Sequence, residues 1–324
     1  MRARISASRR GASDLLARIA AHFVSADVSL FHSFQPAPAG GGHQFLRALR
    51  REFEARGLRV ENNRISRTSR ACLFNSFNFD FDRLRRFRRS GCRMVHRVDG
   101  PISAYRGRDE EVDRGIWELN LELADATIFQ SEYSLRGHLE MGLEFKDPVV
   151  VMNAPDPHHF HARGRVPFSR ARKTRLVSVS WSDNPNKGAA AYRWLGQQLD
   201  WDRFEYTFVG RTPLPFDRIR AVAPLPSRGL GELLRRQDIY ITASENDPCS
   251  NSLLEALACG LPAIYLNSGG HPEIVRDAGL PFSTPEEVPG LLEELVAGYE
   301  GYRARIAIPS LSDVADRYLA VLKI

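Results

Sequence analysis

Short runs of β-branched and aromatic residues alternate along the chain with longer stretches in which apolar residues return every three or four positions. This pattern predicts β-strands separated by amphipathic helices. The predicted strands are 28–32, 72–75, 93–98, 126–130, 148–152, 175–180, 206–210, 239–242 and 263–267. The clearest helical patterns are 43–56, 110–123, 187–199, 229–236 and 251–259. Because both halves alternate in this way, we expect an α/β protein with two doubly wound parallel sheets.

The segment 153–174 separates the two halves. It combines Pro, Gly, His and basic residues without periodicity, which predicts an interdomain linker. An apolar stripe behind Ser312 predicts a terminal helix that must dock on another surface. We therefore divide the chain into an N-terminal domain, a C-terminal domain and a terminal helix. Their predicted bounds are 1–162, with a basic and amphipathic extension over 1–25, then 163–308 and 309–324.

The composition fits a globular protein of two domains. The chain has 324 residues, of which 43% are hydrophobic and 26% charged, and no apolar run approaches the roughly 20 residues that span a bilayer. The basic start is followed by a stretch that Asp14, Arg18 and His22 interrupt, so no signal peptide is predicted. We interpret the protein as cytoplasmic. Its formal net charge of +6 favours anionic partners: phosphorylated small molecules, acidic lipid surfaces or nucleic acid.

Further features of the sequence bear on metal sites, disulfides and the choice among these anionic partners. The four cysteines lie far apart, which argues against a zinc knuckle or a disulfide framework, and the histidines of 156–161 have weak metal-ligand spacing. No nucleic-acid-binding module is recognisable. The dense run of arginines over 83–97 has two interpretations: a solvated helix face, or a patch that meets acidic lipid at the inner face of a membrane or a phosphorylated acceptor.

The stretch 247–262, DPCSNSLLEALACGLP, is the first candidate site. It places a loop and a helix start directly after the predicted strand 239–242. In parallel α/β sheets ligands bind at the carboxyl ends of strands, and helix N-termini bind anions. We therefore predict a phosphate on the amides that begin the helix, those of Asn251, Ser252 and Leu253.

A structural alternative accounts for part of this stretch. Ser252 and Glu255 fit the S-x-x-E capping box, in which the carboxylate only satisfies the start of the helix. That interpretation leaves Glu245 and Asp247 without a role.

The longer stretch 247–275 resembles the nucleotide-sugar signature of retaining glycosyltransferases of family 4, which have the GT-B fold of two Rossmann-like domains facing a cleft. The resemblance implies that Glu255 binds the ribose hydroxyls of the donor and that Asp247 faces the donor sugar. Asp stands where the family has Glu, so Glu245 is a second candidate for that role. Ser250, Asn251, Ser252 and Leu253 complete the implied donor-binding stretch.

The stretch 178–192 resembles the part of this family in which an Arg and a Lys hold the donor diphosphate. Lys187 matches the Lys, whose ammonium would neutralise charge on the departing diphosphate. The Arg position falls on Ser182, and a hydroxyl cannot replace a guanidinium fork. Arg211 is the candidate replacement. Without the resemblance, Lys187 would be interpreted as a solvated loop lysine.

Two stretches of the first half are implied to face the acceptor. Residues 34–49 resemble the family's glycine-rich loop, with Gly41, Gly42 and His43 at the cleft, although a flexible turn also explains the glycines. Residues 94–107 resemble the stretch whose His or Asp binds the acceptor hydroxyl or the donor sugar, which makes His96 and Asp99 catalytic candidates. The alternatives are a buried core histidine and a turn aspartate.

The resemblance covers about residues 28–324 and implies a function. We expect an enzyme of glycan biosynthesis that transfers sugar from a nucleotide-diphospho-sugar to a hydroxyl of a glycan, lipid or small molecule, with no metal or other cofactor. The terminal helix is implied to cross back to the first domain. Two alternatives stay open: a sugar-nucleotide epimerase of the same fold, which needs no acceptor, and a sugar-nucleotide-binding protein without activity.

Overall fold

A computed structural model describes residues 25–36, 40–107 and 111–324. Residues 1–24 of the predicted N-terminal extension lie outside this described part. Among the described residues, no helix is both long enough and apolar enough to cross a bilayer.

The first sheet is parallel throughout the described residues and has the strand order β2-β1-β3-β4-β5-β6. Its strands are β1 (Val28–Phe31), β2 (Val60–Asn62), β3 (Ala71–Asn75), β4 (Arg93–Val98), β5 (Ala126–Phe129) and β6 (Pro148–Val150). All residues of β1, β3 and β5 are buried, as expected for a sheet covered by helices on both faces.

The helices of this half lie between successive strands in the chain, as in a doubly wound fold. They are α1 (Gly41–Ala55), α2 (Phe81–Phe87), α3 (Ile102–Arg106), α4 (Glu111–Leu123) and α5 (Glu132–Glu140). Helix α1 buries an apolar face that includes Phe45, Leu49 and Phe53, and its opposite face is charged.

The second sheet repeats the arrangement in the C-terminal half. Its order is β12-β11-β10-β7-β8-β9, again parallel in the described part of the chain. The strands are β7 (Thr174–Ser180), β8 (Phe204–Gly210), β9 (Arg220–Val222), β10 (Ile239–Thr242), β11 (Ala263–Leu266) and β12 (Gly279–Phe282). The associated helices are α6 (Ala189–Gln198), α7 (Ser227–Leu234), α8 (Asn251–Ala258), α9 (His271–Val275), α10 (Val288–Ala297) and α11 (Tyr299–Ala304). The predicted fold class is confirmed: both halves are doubly wound parallel sheets.

The terminal helix α12 (Leu311–Leu322) packs on the first half of the molecule. Its apolar stripe, which includes Val314 and Tyr318, shares a core with Leu49 of α1 and with β1, β3 and β4. The helix is capped by Ser310, whose hydroxyl accepts from the Asp313 amide at 3.0 Å, rather than by the predicted Ser312. Ser312 instead accepts from Arg56, which directly follows α1, at 2.9 Å, so it ties the helix to the first half.

Candidate active site

A cavity of about 870 Å³ opens between the two sheets, at the carboxyl ends of strands from both. The chain reaches this cleft where β1, β3 and β4 end in the first half, and where β7, β8 and β10 end in the second. Parallel α/β sheets place ligand sites at these ends because helix N-termini and loop side chains converge there.

Two glycines let the halves approach each other. A Cβ atom on Gly41 would lie 2.6 Å from Cβ of Asn251, and one on Gly100 would lie 2.6 Å from Cβ of Pro248. Any side chain at either position would therefore force the halves apart. The predicted cleft residues Gly41, Gly42 and His43 all line the cavity, at the start of α1.

Helix α8 begins at the cleft with backbone donors for which the described residues supply no acceptor. Its first intrahelical bond runs from the Leu254 amide to Ser250 at 3.1 Å, so the amides of Asn251, Ser252 and Leu253 precede the ladder. Ser250 is the N-cap residue, and among the described residues its side chain makes no capping bond. Ser250, Asn251 and Ser252 line the cleft, whereas the side chain of Leu253 is buried in the core.

Glu255 does not serve the start of its own helix. Its carboxylate lines the cleft and accepts no hydrogen bond from the described residues, so the capping box is not formed. The Ser252 hydroxyl instead accepts from Tyr240 at 2.9 Å. Burial, with a smaller contribution from the nearby charge of Asp156, raises the pKa of Glu255 to about 8. A carboxylate held in this way is suited to partners that the protein itself does not supply.

Lys187 and Asp247 form an ion pair in the cleft. The ammonium Nζ lies 2.7 Å from Oδ2 of Asp247, and their side chains are 15% and 10% exposed. Burial disfavours both charged forms, but the attraction between the two charges outweighs this effect. The pKa of Lys187 is therefore raised and the pKa of Asp247 is lowered. The alternative carboxylate, Glu245, is exposed and is not among the described residues that line the cleft.

The predicted diphosphate side has an unusual composition. Ser182 lines the cleft, and its hydroxyl accepts from the Asn184 amide at 3.2 Å, a local loop contact. Arg211 lines the same wall, with its guanidinium carbon 5.0 Å from the centre of the Trp181 ring. The structure therefore brings a guanidinium from the end of β8 to the wall where the resemblance implies one after β7.

The wall predicted to face the acceptor includes a buried polar cluster, which forms the floor of the cleft on that side. Asp99 accepts from Arg97 at 3.0 Å and from Gln130, and its side chain is 24% exposed. Arg97 is almost fully buried and also donates to Asn153 at 3.0 Å and to Tyr318 of the terminal helix at 3.2 Å. Sequence reasoning missed Arg97 as a cleft residue, although Arg97 lies near the end of β4 and two residues before Asp99, so both point to one side of the strand.

His96 is a correction. It is fully buried, stacks on Phe74 with ring centres 4.3 Å apart, and contacts Asn120 of α4 through Nδ1 at 3.2 Å. It is not among the described residues that line the cleft. Alternate residues of a strand point to opposite faces, so Arg97 and Asp99 point toward the cleft side while His96 packs under α4. The core-histidine alternative describes this position, whereas the catalytic expectation placed His96 at the cleft.

A second histidine does reach the cleft. His32, directly after β1, contacts Nδ1 of His43 through Nε2 at 2.7 Å, and both rings line the cavity. Burial first, and then the charges around it, lowers the pKa of His32 to about 3, and burial also lowers the pKa of His43. Both rings are therefore neutral at pH 7 and offer hydrogen bonds rather than charge. The position of His32 at a strand's carboxyl end was the signal that sequence reasoning overlooked.

Other sequence features have structural partners. Arg85 pairs with Glu122 and Asp82, and Arg93 donates to the Val321 carbonyl at 2.6 Å. The Arg85 pairs favour a helix face for that part of the arginine run, whereas Arg93 lies on β4. The four cysteines are free and buried. In the described ranges, no group of three or more potential ligand residues could hold a metal ion.

One family model and many solved structures are similar to this chain. Residues 217–300 match the family model described as glycosyl transferases group 1. No sequence among the curated proteins matches the chain.

Solved structures of the same fold are numerous. Sucrose-phosphate synthase from Thermosynechococcus elongatus has a TM-score of 0.71 at 14% identity, covering 92% of this chain and 98% of that one. Anabaena HepE in complex with UDP and glucose has a TM-score of 0.67 at 13% identity, covering 92% and 99%. The catalytic domain of starch synthase IV from Arabidopsis thaliana, bound to ADP and acarbose, has a TM-score of 0.67 at 11% identity, covering 93% and 99%. These likenesses show the GT-B fold, and together with the family match they support a glycosyl-transferring enzyme.

Proposed function

We propose that this chain is a retaining glycosyltransferase that moves a sugar from a nucleotide-diphospho-sugar to a hydroxyl acceptor, with no metal cofactor. The observation that carries the proposal is the state of Glu255. It is a nearly buried carboxylate without a hydrogen bond from the described residues, inside an interdomain cleft and one turn into a helix with free N-terminal amides. The group 1 family match includes this helix.

Each part of the donor binds where the cleft offers groups of complementary chemistry. Ribose hydroxyls are hydrogen-bond donors that Glu255 lacks, so the ribose binds there. The diphosphate takes the free amides at the start of α8 and the ammonium of Lys187, because both favour anions. UDP and ADP occupy similar folds in the HepE and starch synthase structures, which supports a nucleotide in this cleft.

Arg211 supplies the second cation for the diphosphate. Ser182 cannot make the paired contacts of an arginine, and Arg211 lines the same wall of the cleft, stacked on Trp181. With two cations and the helix amides on the leaving group, the negative charge that develops there is neutralised by the protein's own residues.

The transfer step breaks one bond of the donor and forms one bond to the acceptor. The bond between the anomeric carbon and the phosphate oxygen breaks, and its electron pair stays on the phosphate. The acceptor oxygen forms a bond on the same face of the sugar, and its proton passes to a phosphate oxygen. Asp247, released from Lys187 when the diphosphate takes that ammonium, faces the sugar and stabilises its positive charge. The acceptor lies against Asp99 and His43 on the opposite wall.

The test is a thermal-shift screen with UDP-, GDP-, ADP- and TDP-sugars. A ligand at 100 times its dissociation constant adds about 2.7 kcal/mol of stability. We expect one base to stabilise the protein and Glu255→Ala to abolish the shift.

Product analysis by NMR then separates the alternatives: an isomerised donor identifies an epimerase, and binding without turnover over a broad acceptor panel identifies a binding protein. Activity that persists in EDTA supports metal independence, and loss of activity restored by a divalent cation refutes it.

A further inference from the structure

Two asparagines immediately precede the ion pair in the chain. Asn186 comes before Lys187 and Asn246 comes before Asp247. Both side-chain amides cross the cleft to the same place, the C-terminal end of α3. Asn186 donates to the Tyr105 carbonyl at 3.2 Å, and Asn246 donates to the Ala104 carbonyl at 3.3 Å.

The end of α3 is a natural partner for such donors. The last carbonyls of a helix have no intrahelical partner, and α3 has only five residues before Gly107 closes it in a left-handed conformation. Tyr105 also places its ring 4.8 Å from the ammonium of Lys187. One short helix of the first half therefore contacts both asparagines and Lys187.

The backbones of the two asparagines are fixed to the second half. The Glu245 amide donates to the Asn186 carbonyl at 2.7 Å, which joins the two loops. Asn246 has a φ of 54°, a left-handed conformation that Asn tolerates, and its amide donates to Ser268 at 2.9 Å. Its side-chain oxygen accepts from Tyr133 of α5 at 3.1 Å. Each asparagine thus has its backbone in one half and its side chain on the other.

We propose that Asn186 and Asn246 are positioning residues, which transmit closure of the two halves to Lys187 and Asp247. When the halves are together, the carbonyls of α3 hold both loops, and the adjacent ion pair is placed in the cleft. When the halves separate, the asparagines lose these bonds and the pair loses the Tyr105 ring. The role in turnover rests on the proposed function, whereas the placement of Lys187 does not.

The first test measures the placement of Lys187 without any substrate. The chain has four lysines, so acetylation at Lys187 can be followed by mass spectrometry against Lys146 as an internal reference. Asn186→Ala and Asn246→Gly remove the amides, and glycine keeps the positive φ at 246 without strain. We expect Lys187 to be acetylated about threefold faster or more in each variant, because its local opening is eased, with the rate at Lys146 unchanged.

A control separates local placement from general loosening. Glu273 joins the halves elsewhere: its carboxylate accepts from the amides of Glu132 and Tyr133, at 2.8 and 2.7 Å, at the start of α5. Glu273→Gln weakens this contact and keeps both asparagines, together with Tyr133, whose hydroxyl donates to Asn246. We expect its Lys187 labelling rate to stay within about twofold of the wild type. Equal acceleration in Glu273→Gln and in the asparagine variants would overturn the proposal.

The second test measures turnover. The donor binds mainly to the second half, so calorimetry is expected to give donor dissociation constants within about threefold of the wild type. The kcat value is expected to fall about tenfold or more in each asparagine variant, because small displacements of reacting groups are costly. Unchanged labelling, or unchanged kcat in an active enzyme, overturns the proposal. If the wild type binds none of the four sugar nucleotides, the proposed function fails, and the labelling result still decides the placement of Lys187.

Discussion

The two walls of the cleft are built in different ways. On the C-terminal wall, Asp247, the amides that begin α8 and Glu255 come from one continuous stretch of nine residues. On the N-terminal wall, His32, His43, Arg97 and Asp99 come from the ends of β1 and β4 and the start of α1, separated by up to 67 positions between the first and last (99 − 32). A site within one strand-loop-helix unit can be predicted from sequence. To predict a site assembled from several strand ends, one must also know which way the side chain at each strand end points.

The largest effect is expected on the C-terminal wall. Lys187→Ala removes the ammonium that we propose neutralises the leaving group, so kcat should fall by about 10²- to 10³-fold, as when one charge-stabilising donor is removed from an active site. It also leaves the nearly buried Asp247 without its 2.7 Å partner, which should lower the melting temperature. Steady-state kinetics and a thermal melt check both. Lys173→Ala, at an exposed lysine, is the control; equal losses in both variants would contradict the assignment.

The ionisation of Glu255, on the same wall, makes the stability of the protein depend on pH. Its pKa of about 8 in the folded protein lies above its ordinary value, so the carboxyl binds a proton more tightly in the folded than in the unfolded state. This contribution to stability is complete below about pH 4 and is lost as the pH rises through 8, with a slope of up to about 1.4 kcal/mol per pH unit between these values. Denaturant unfolding of the wild type at pH 5, 7 and 9 should show this fall.

The matched variant is Glu255→Gln, which has no titrating group at this position. Its stability should lack that part of the pH dependence, so the variant is expected to be more stable than the wild type at pH 9. Donor affinity should behave in the opposite way: it rises with pH from 6 to 8 in the wild type, since ribose hydroxyls donate to the ionised carboxylate, and is flat in the variant. Parallel pH profiles for the two proteins would contradict this role of Glu255.

Two histidines test the N-terminal wall. His43→Ala removes a ring that lines the cleft, so the KM for the acceptor should rise about tenfold while donor affinity stays near the wild-type value, as expected for a lost hydrogen bond to substrate. His96→Ala removes a ring stacked in the core, so the protein should lose stability by about 2–3 kcal/mol with little change in KM. Acceptor kinetics and denaturant unfolding distinguish them. The opposite pattern would restore His96 as the functional residue.

These two histidines also show what the sequence could and could not reveal. The apolar pattern predicted nine strands within two residues of their observed ends, but β2, β9 and β12 were not predicted. Those strands lie at the edges of the two sheets and are only partly buried, and they lack the β-branched and aromatic runs on which the prediction depends. His96 lies on a correctly predicted strand, yet which face it occupies depends on the register of packing, which one sequence does not display.

The smallest expected effect concerns the terminal helix. Tyr318→Phe removes one hydrogen bond to Arg97, 3.2 Å long, and leaves the ring in the core it shares with Leu49. We expect a loss of about 1 kcal/mol of unfolding free energy, and a modest rise in acceptor KM because Arg97 holds Asp99. Unchanged acceptor KM would show that the floor of the N-terminal wall is structural only.

The most direct test is a crystal structure of the protein with the nucleotide sugar that the thermal-shift screen selects. The account predicts ribose hydroxyls about 2.7 Å from the carboxylate oxygens of Glu255. It also predicts the diphosphate against the amides of Asn251–Leu253 and the ammonium of Lys187, with that ammonium drawn away from Asp247. A nucleotide bound elsewhere, or a Glu255 carboxylate turned to the amides of its own helix with the donor present, would contradict it.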